Sequence, residues 1–200
     1  MASAEAAAST LCNPETEVSA HYLIGRDGAV MALVPEVERA WHAGAGRWGA
    51  VQDVNSRSIG IELDHPGEGP FEDAQLEALQ WLLRGIMARW RIPAERVIAH
   101  SDMAPGRKID PGPRFPWRRL AAAGLAVWPH RRDGPLVSPS RFREIAARVG
   151  YTADVTEDVL LSAIRLRFRP GVVGPLDQVD LAMLSDLATR YPVDGRGLRV

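Results

Sequence analysis

The sequence predicts an α/β fold followed by a small all-α domain, and three observations carry that expectation. Short apolar stretches bounded by turn residues fill the region before residue 65, a long helical repeat runs from Glu72 to Trp90, and three short amphipathic segments follow a proline-bounded stretch at 129–139. A length of 200 residues accommodates one domain with a smaller one attached. The expected division is 1–129, a linker at 130–139, and a helical domain at 140–192. The formal net charge of −1 provides no electrostatic case for binding nucleic acid or an anionic membrane. A single cysteine, Cys12, excludes an internal disulfide and a cysteine-based zinc knuckle, so any metal site must be built from histidine and carboxylate. Cys12 itself is expected to be a small buried or half-buried filler. No segment approaches the roughly 20 apolar residues of a membrane span. Met1–Thr10 has neither the basic start nor the apolar core of a secretory signal, so the expectation is a cytoplasmic location for the chain as it stands, or the periplasm or cell envelope if an upstream segment is missing.

The alanine-rich Met1–Leu11 reads as a helix, stopped near Asn13 and Pro14 because proline lacks a donor and disfavours the helical region for the residue before it. Val18–Ile24 and Ala29–Val34 flank Asp27-Gly28, a pair that accepts positive φ, and so predict a hairpin. Glycine, alanine and tryptophan dominate Arg39–Asn55, which predicts a long loop. Ser58–Asp64 alternates, placing Ile59, Ile61 and Leu63 on one face and Gly60 and Glu62 on the other. Glu72–Trp90 carries Leu76, Leu79, Leu82, Leu83, Ile86 and Trp90 at helical spacing. Val97–Ala99 is read as a short strand ending at His100, and the proline-rich Ser101–Trp117 as a stiff loop. A short helix near Trp117–Ala123 closes the first domain. Beyond the linker, Arg141–Val149, Glu157–Phe168 and about Asp177–Tyr191 are predicted helices, with Gly150 a C-cap and Thr156 an N-cap. Phe142, Ile145, Val149, Leu160, Ile164, Phe168, Leu184 and Leu187 would form their common core.

The chemistry concentrates in Ala99-His100-Ser101-Asp102 and Gly106-Arg107-Lys108-Ile109-Asp110-Pro111-Gly112. Histidine and aspartate both suit zinc, and Lys108, two residues from Asp110 in an extended segment, projects to the same side. A hydrolytic zinc site also needs a base and a positive group where the carbonyl oxygen gains charge; Glu62 and Lys108 supply them. His21, on an apolar strand, reads as a satisfied structural histidine, and His65 and His130 as solvated. His42 and Trp41, in the glycine-rich loop, are candidate substrate-binding residues. A loop tryptophan also packs as an apolar plug, a reading open for both Trp41 and Trp48.

Four ordered motifs carry a family resemblance: Val18-Ser19-Ala20-His21-Tyr22-Leu23-Ile24, Ala40-Trp41-His42-Ala43-Gly44, Asn55 through Ser58-Ile59-Gly60-Ile61-Glu62, and His100 through Gly112. Over roughly Met1–Pro129 the chain resembles the type-2 N-acetylmuramoyl-L-alanine amidases, relatives of the phage zinc amidases and peptidoglycan recognition proteins. The resemblance implies a mixed sheet flanked by helices, His100 and Asp110 as zinc ligands, Glu62 as the catalytic carboxylate and Lys108 as the oxyanion stabiliser. It also implies hydrolysis of the amide between N-acetylmuramic acid and L-alanine, in muropeptides or whole peptidoglycan. Arg141–Thr189 resembles a peptidoglycan-binding three-helix domain, expected to raise local substrate concentration without doing chemistry.

In that family the first zinc ligand is a histidine ending an apolar strand just before the alanine-rich helix, and these 200 residues open at the helix. The expectation is a start codon assigned too far downstream, which an in-frame apolar run ending in histidine upstream of Met1 would establish. Two other readings stand beside the amidase: a non-catalytic muropeptide-binding protein, and a zinc peptidase cutting within the stem peptide.

Overall fold

The computed structural model describes residues 4–130, 133 and 136–194. The chain packs as two compact units, Met1–Gly46 with Asp53–Arg91, and Arg47–Gln52 with Ile92–Val200. These do not coincide with a division at 129–140, because segment 92–129 shares its core and its buried ion pair with the helices that follow.

In the first unit, α1 (Ala4–Leu11) buries Ala7 and Leu11 against Ala20 and Leu23. Asn13 accepts from the Glu15 amide and starts a 3-10 turn at Pro14–Thr16, ending the helix run where proline was expected to end it. A mixed three-stranded sheet follows, in the order β2-β1-β3. Strand β1 (Tyr22–Ile24) pairs antiparallel with β2 (Val30–Ala32) and parallel with β3 (Ile61–Leu63). The hairpin forms where Asp27-Gly28 predicted it: Asp27 Oδ1 accepts from the Ala29 amide, and Gly28 sits at φ +85°, where a Cβ would lie 2.8 Å from the Ala74 carbonyl oxygen. All three strands are shorter than the alternation suggested.

Helix α2 (Asp73–Trp90) buries Leu76, Leu79, Leu82, Leu83 and Ile86, as its spacing required. Gln75, fully buried, donates through Nε2 to the Ile24 and Asp64 carbonyls, tying α2 to the ends of β1 and β3. Trp90 departs from expectation. It is 45% exposed, and its indole N–H donates to Glu36, which also accepts from the Tyr22 hydroxyl and the Arg89 guanidinium. One carboxylate thus clamps β1 to the last turn of α2. Cys12 is exposed at the end of α1 and fills no core. His65, half-buried, stacks on Phe71 with ring centres 3.9 Å apart.

In the second unit, Val97–Ala99 is extended but belongs to no strand among the described residues, a correction to the sequence reading. Two of its backbone groups are taken by side chains: the Ala99 amide donates to Asp102, and the Val97 carbonyl accepts from Arg167. Ala99 then serves as N-cap of α3 (His100–Met103). Helices α4 (Trp117–Ala122), α5 (Phe142–Val149), α6 (Glu157–Phe168) and α7 (Gln178–Arg190) follow. The eight predicted core positions of α5 to α7 are all buried. Gly150 ends α5 at φ +132°, and a Cβ there would lie 2.3 Å from the buried Trp48 ring, which is an apolar plug. Asp177 and Asp180 form a reciprocal capping box at the start of α7. The linker reading at 130–139 falls partly on 131–132 and 134–135, outside the described residues. No described helix is long and apolar enough to cross a membrane.

Hydrogen bonds from Arg89, opposed by burial and joined by those of Tyr22 and Trp90, hold the Glu36 carboxyl down at about 2, from an ordinary 4.5. A carboxyl depressed in the folded state adds stability that is complete above pH 4.5 and lost as pH falls through about 2. Glu36→Gln is expected to lower stability near neutrality by about 2 kcal/mol and to flatten the decline between pH 4.5 and 2, read from chemical denaturation across that range.

Candidate active site

The first unit carries Glu62, His42 and Trp41. Strand β3 delivers Glu62 at the register position opposite Leu23 of β1. The preceding residues are pinned by His21, whose buried ring accepts from the Gly60 amide at Nδ1 (2.9 Å) and donates from Nε2 to the Glu38 carbonyl (3.1 Å). His21 is therefore a satisfied structural histidine. The loop turns toward this strand through Asn55, whose buried Oδ1 accepts from the amides of His42 (3.1 Å) and Ala43 (2.8 Å). A Cβ on Gly60 would lie 2.2 Å from His42 Cγ, so the imidazole occupies the space a side chain would take there. Residues two apart in an extended run project to the same side, which puts His42 on the Glu62 side of the strand. Trp41 is 54% exposed, with the Arg39 guanidinium 4.1 Å from its ring centre; of the two loop tryptophans, Trp41 is the one open to solvent.

The second unit carries His100, Lys108 and Asp110. His100 Nδ1–H donates to Asp110 Oδ2 at 2.9 Å, and the Ser101 amide donates to the Asp110 carbonyl, so both the backbone and the side chain of residue 110 return to the start of α3. The stiff loop predicted from its prolines closes the pair in this way. Although burial pushes it upward, the Asp110 carboxyl is held below its ordinary range by the His100 hydrogen bond and charge and by the Lys108 ammonium. It is thus kept in the ionised form that a metal ligand needs. Lys108 is the only lysine in the chain, a signal the motif alone did not bring out, and its backbone is anchored by a bond from its amide to the Ala104 carbonyl. An imidazole and a carboxylate brought together at 2.9 Å fit zinc in donor chemistry, as two of the three protein ligands that a hydrolytic site would need. Among the described residues no group of three or more His, Cys, Asp or Glu side chains is close enough to hold a metal ion.

Sequence reasoning missed the residues that hold this segment in place. Asp102 is buried and accepts from the Tyr151 hydroxyl, the Ala99 amide and the Arg167 guanidinium. Burial, then the neighbouring Asp102 charge, raises Tyr151 well above its ordinary value and keeps it a hydroxyl donor. Asp102 lies within the His-Ser-Asp motif, but nothing local marks Tyr151 or Arg167 as its partners.

A profile for the N-acetylmuramoyl-L-alanine amidase family matches residues 1–113. The amidase AmiD of Escherichia coli is 36% identical over 214 residues, covering 90% of this chain and 77% of that protein. Its structure with the substrate anhydro-N-acetylmuramic acid-L-Ala-D-γ-Glu-L-Lys superposes with a TM-score of 0.84 at 35% identity, over 94% of this chain and 84% of the other. AmpDh3 of Pseudomonas aeruginosa, in complex with an anhydromuramic pentapeptide, gives a TM-score of 0.83 at 32% identity, over 94% and 88% of the two chains. The 1,6-anhydro-N-acetylmuramyl-L-alanine amidase AmpD of Enterobacter cloacae is 44% identical over 105 residues, covering 52% of this chain and 56% of that protein. The ordered motifs, the mixed sheet and these matches agree: the chain belongs to the type-2 N-acetylmuramoyl-L-alanine amidases.

Proposed function

We propose that this protein hydrolyses the amide between the lactyl group of N-acetylmuramic acid and L-alanine in anhydro-muropeptides, with zinc as its cofactor. The observation that carries the reading is the His100–Asp110 pair with Lys108 beside it, on the segment that the family profile matches. The anhydro-sugar is chosen because the AmiD and AmpDh3 structures hold anhydro-muropeptides.

His100 and Asp110 would hold the zinc ion, whose Lewis acidity polarises a carbonyl and makes a water more acidic. Glu62 accepts the proton of the attacking water and passes it to the L-alanine nitrogen as the C–N bond breaks, leaving a lactyl carboxylate and a free peptide amine. Lys108 donates to the carbonyl oxygen as it gains negative charge. His42, on the Glu62 side of its strand, and the exposed Trp41 contact substrate. Peptidoglycan binding by the helices after residue 140 belongs to this proposal, supported by their resemblance to such domains.

Incubation with an anhydro-muropeptide is expected to release L-alanyl peptides, and a chelator to stop the release. Glu62→Gln should lower kcat by about 10²–10⁴-fold and Lys108→Ala by about 10²–10³-fold, measured by chromatography of the released peptide. Saturable muropeptide binding that ignores chelator, with no peptide released, would turn the assignment to a non-catalytic binder, and cuts inside the stem peptide would turn it to a peptidase. Gly60→Ala forces the His42 ring to move and is expected to cost about 1–3 kcal/mol of stability by thermal unfolding, together with most of the activity.

A further inference from the structure

The segment that presents His100 hangs on a carboxylate with no part in the chemistry above. Asp102 is completely buried, and its two oxygens accept three donors: the Tyr151 hydroxyl on Oδ1 (2.5 Å), and the Ala99 amide (2.8 Å) and Arg167 Nη1 (2.5 Å) on Oδ2. Arg167 is itself 3% exposed. Its Nη2 donates to the Val97 carbonyl (3.2 Å), and its guanidinium carbon lies 3.9 Å from the centre of the Trp117 ring. Tyr151 follows α5, and Arg167 sits in the last turn of α6. What they grip, directly or through Asp102, is the backbone on the N-terminal side of His100. The family profile ends at residue 113, so Asp102 lies inside it and both partners outside.

A buried ion pair is a poor source of stability, because desolvating two charges costs several kcal/mol that an apolar pair would avoid. Its strength is directional. One guanidinium N–H, a hydroxyl and an amide meeting on one carboxylate, with the guanidinium's other arm on the Val97 carbonyl, admit a single arrangement, and that arrangement sets where α3 begins. We propose that Asp102, Tyr151 and Arg167 are positioning residues that orient His100 for metal binding, which makes the helices after residue 140 a working part of the amidase centre. The inference rests on the reading of His100 as a metal ligand.

The test uses the full chain, with Co²⁺ added alone as a probe followed by its visible absorption, and with the His100 imidazole ¹⁵N resonances read without metal. Tyr151→Phe removes one hydroxyl and Arg167→Lys keeps the charge while losing the fork. Both are expected to shift the His100 resonances, to weaken Co²⁺ binding by roughly 10-fold, and to lower kcat on an anhydro-muropeptide with KM unchanged. If Co²⁺ binds the wild type and His100→Ala equally, the metal-ligand reading itself fails. If Co²⁺ binds through His100 but folded Tyr151→Phe matches the wild type in resonances, affinity and kcat, the positioning role is overturned. Tyr151→Phe decides alone should Arg167→Lys not fold.

Discussion

The stretch from Val97 to Asp110 has to be rigid without belonging to a sheet, and a four-residue helix cannot hold itself in place in water. The buried Asp102 carboxylate meets that requirement. It caps the backbone ahead of α3, neutralises Arg167, and accepts the hydroxyl of Tyr151, so irregular chain, α6 and the end of α5 are bound to one point. The low dielectric around such a group strengthens each bond and penalises any arrangement that leaves one unmade. His100 inherits its position from that constraint, and Asp110 follows through its own bonds to His100 and Ser101.

The first unit solves the same problem with neutral side chains. His21 accepts from one loop amide and donates to another carbonyl, and Asn55 collects two amides of the glycine-rich loop. The backbone of both loops is thus satisfied by buried side chains where no strand is available to pair with it. Gly60 completes the arrangement, since only a residue without a Cβ lets the His42 ring lie against the strand that carries Glu62.

Motifs that look like catalytic signatures in a family are in part these structural ties. Of the first three ordered motifs, His21, Asn55 and Gly60 hold backbone or make room, while Glu62 is the residue proposed as the reagent. In the fourth, His100, Lys108 and Asp110 are the residues proposed for chemistry, while Asp102 ties down the backbone ahead of His100. A motif therefore mixes two kinds of necessity, and only hydrogen-bond partners separate them.

Periodicity in the sequence was enough to determine α2, α6, the core of α5 to α7 and the hairpin at Asp27-Gly28, because each depends on residues within a few positions of one another. The ordered motifs also singled out Glu62, His100, Lys108 and Asp110 as site candidates, of which His100 and Asp110 are brought into contact. The tertiary structure alone decided that Val97–Ala99 is extended without a strand partner, that Trp90 turns outward to Glu36, and that Cys12 stays exposed. It alone decided that Arg167 is buried against Asp102, 65 residues away. Arginine in a helix ordinarily points to water, and whether its charge is instead matched inside the protein depends on a carboxylate that local pattern has no means of seeing.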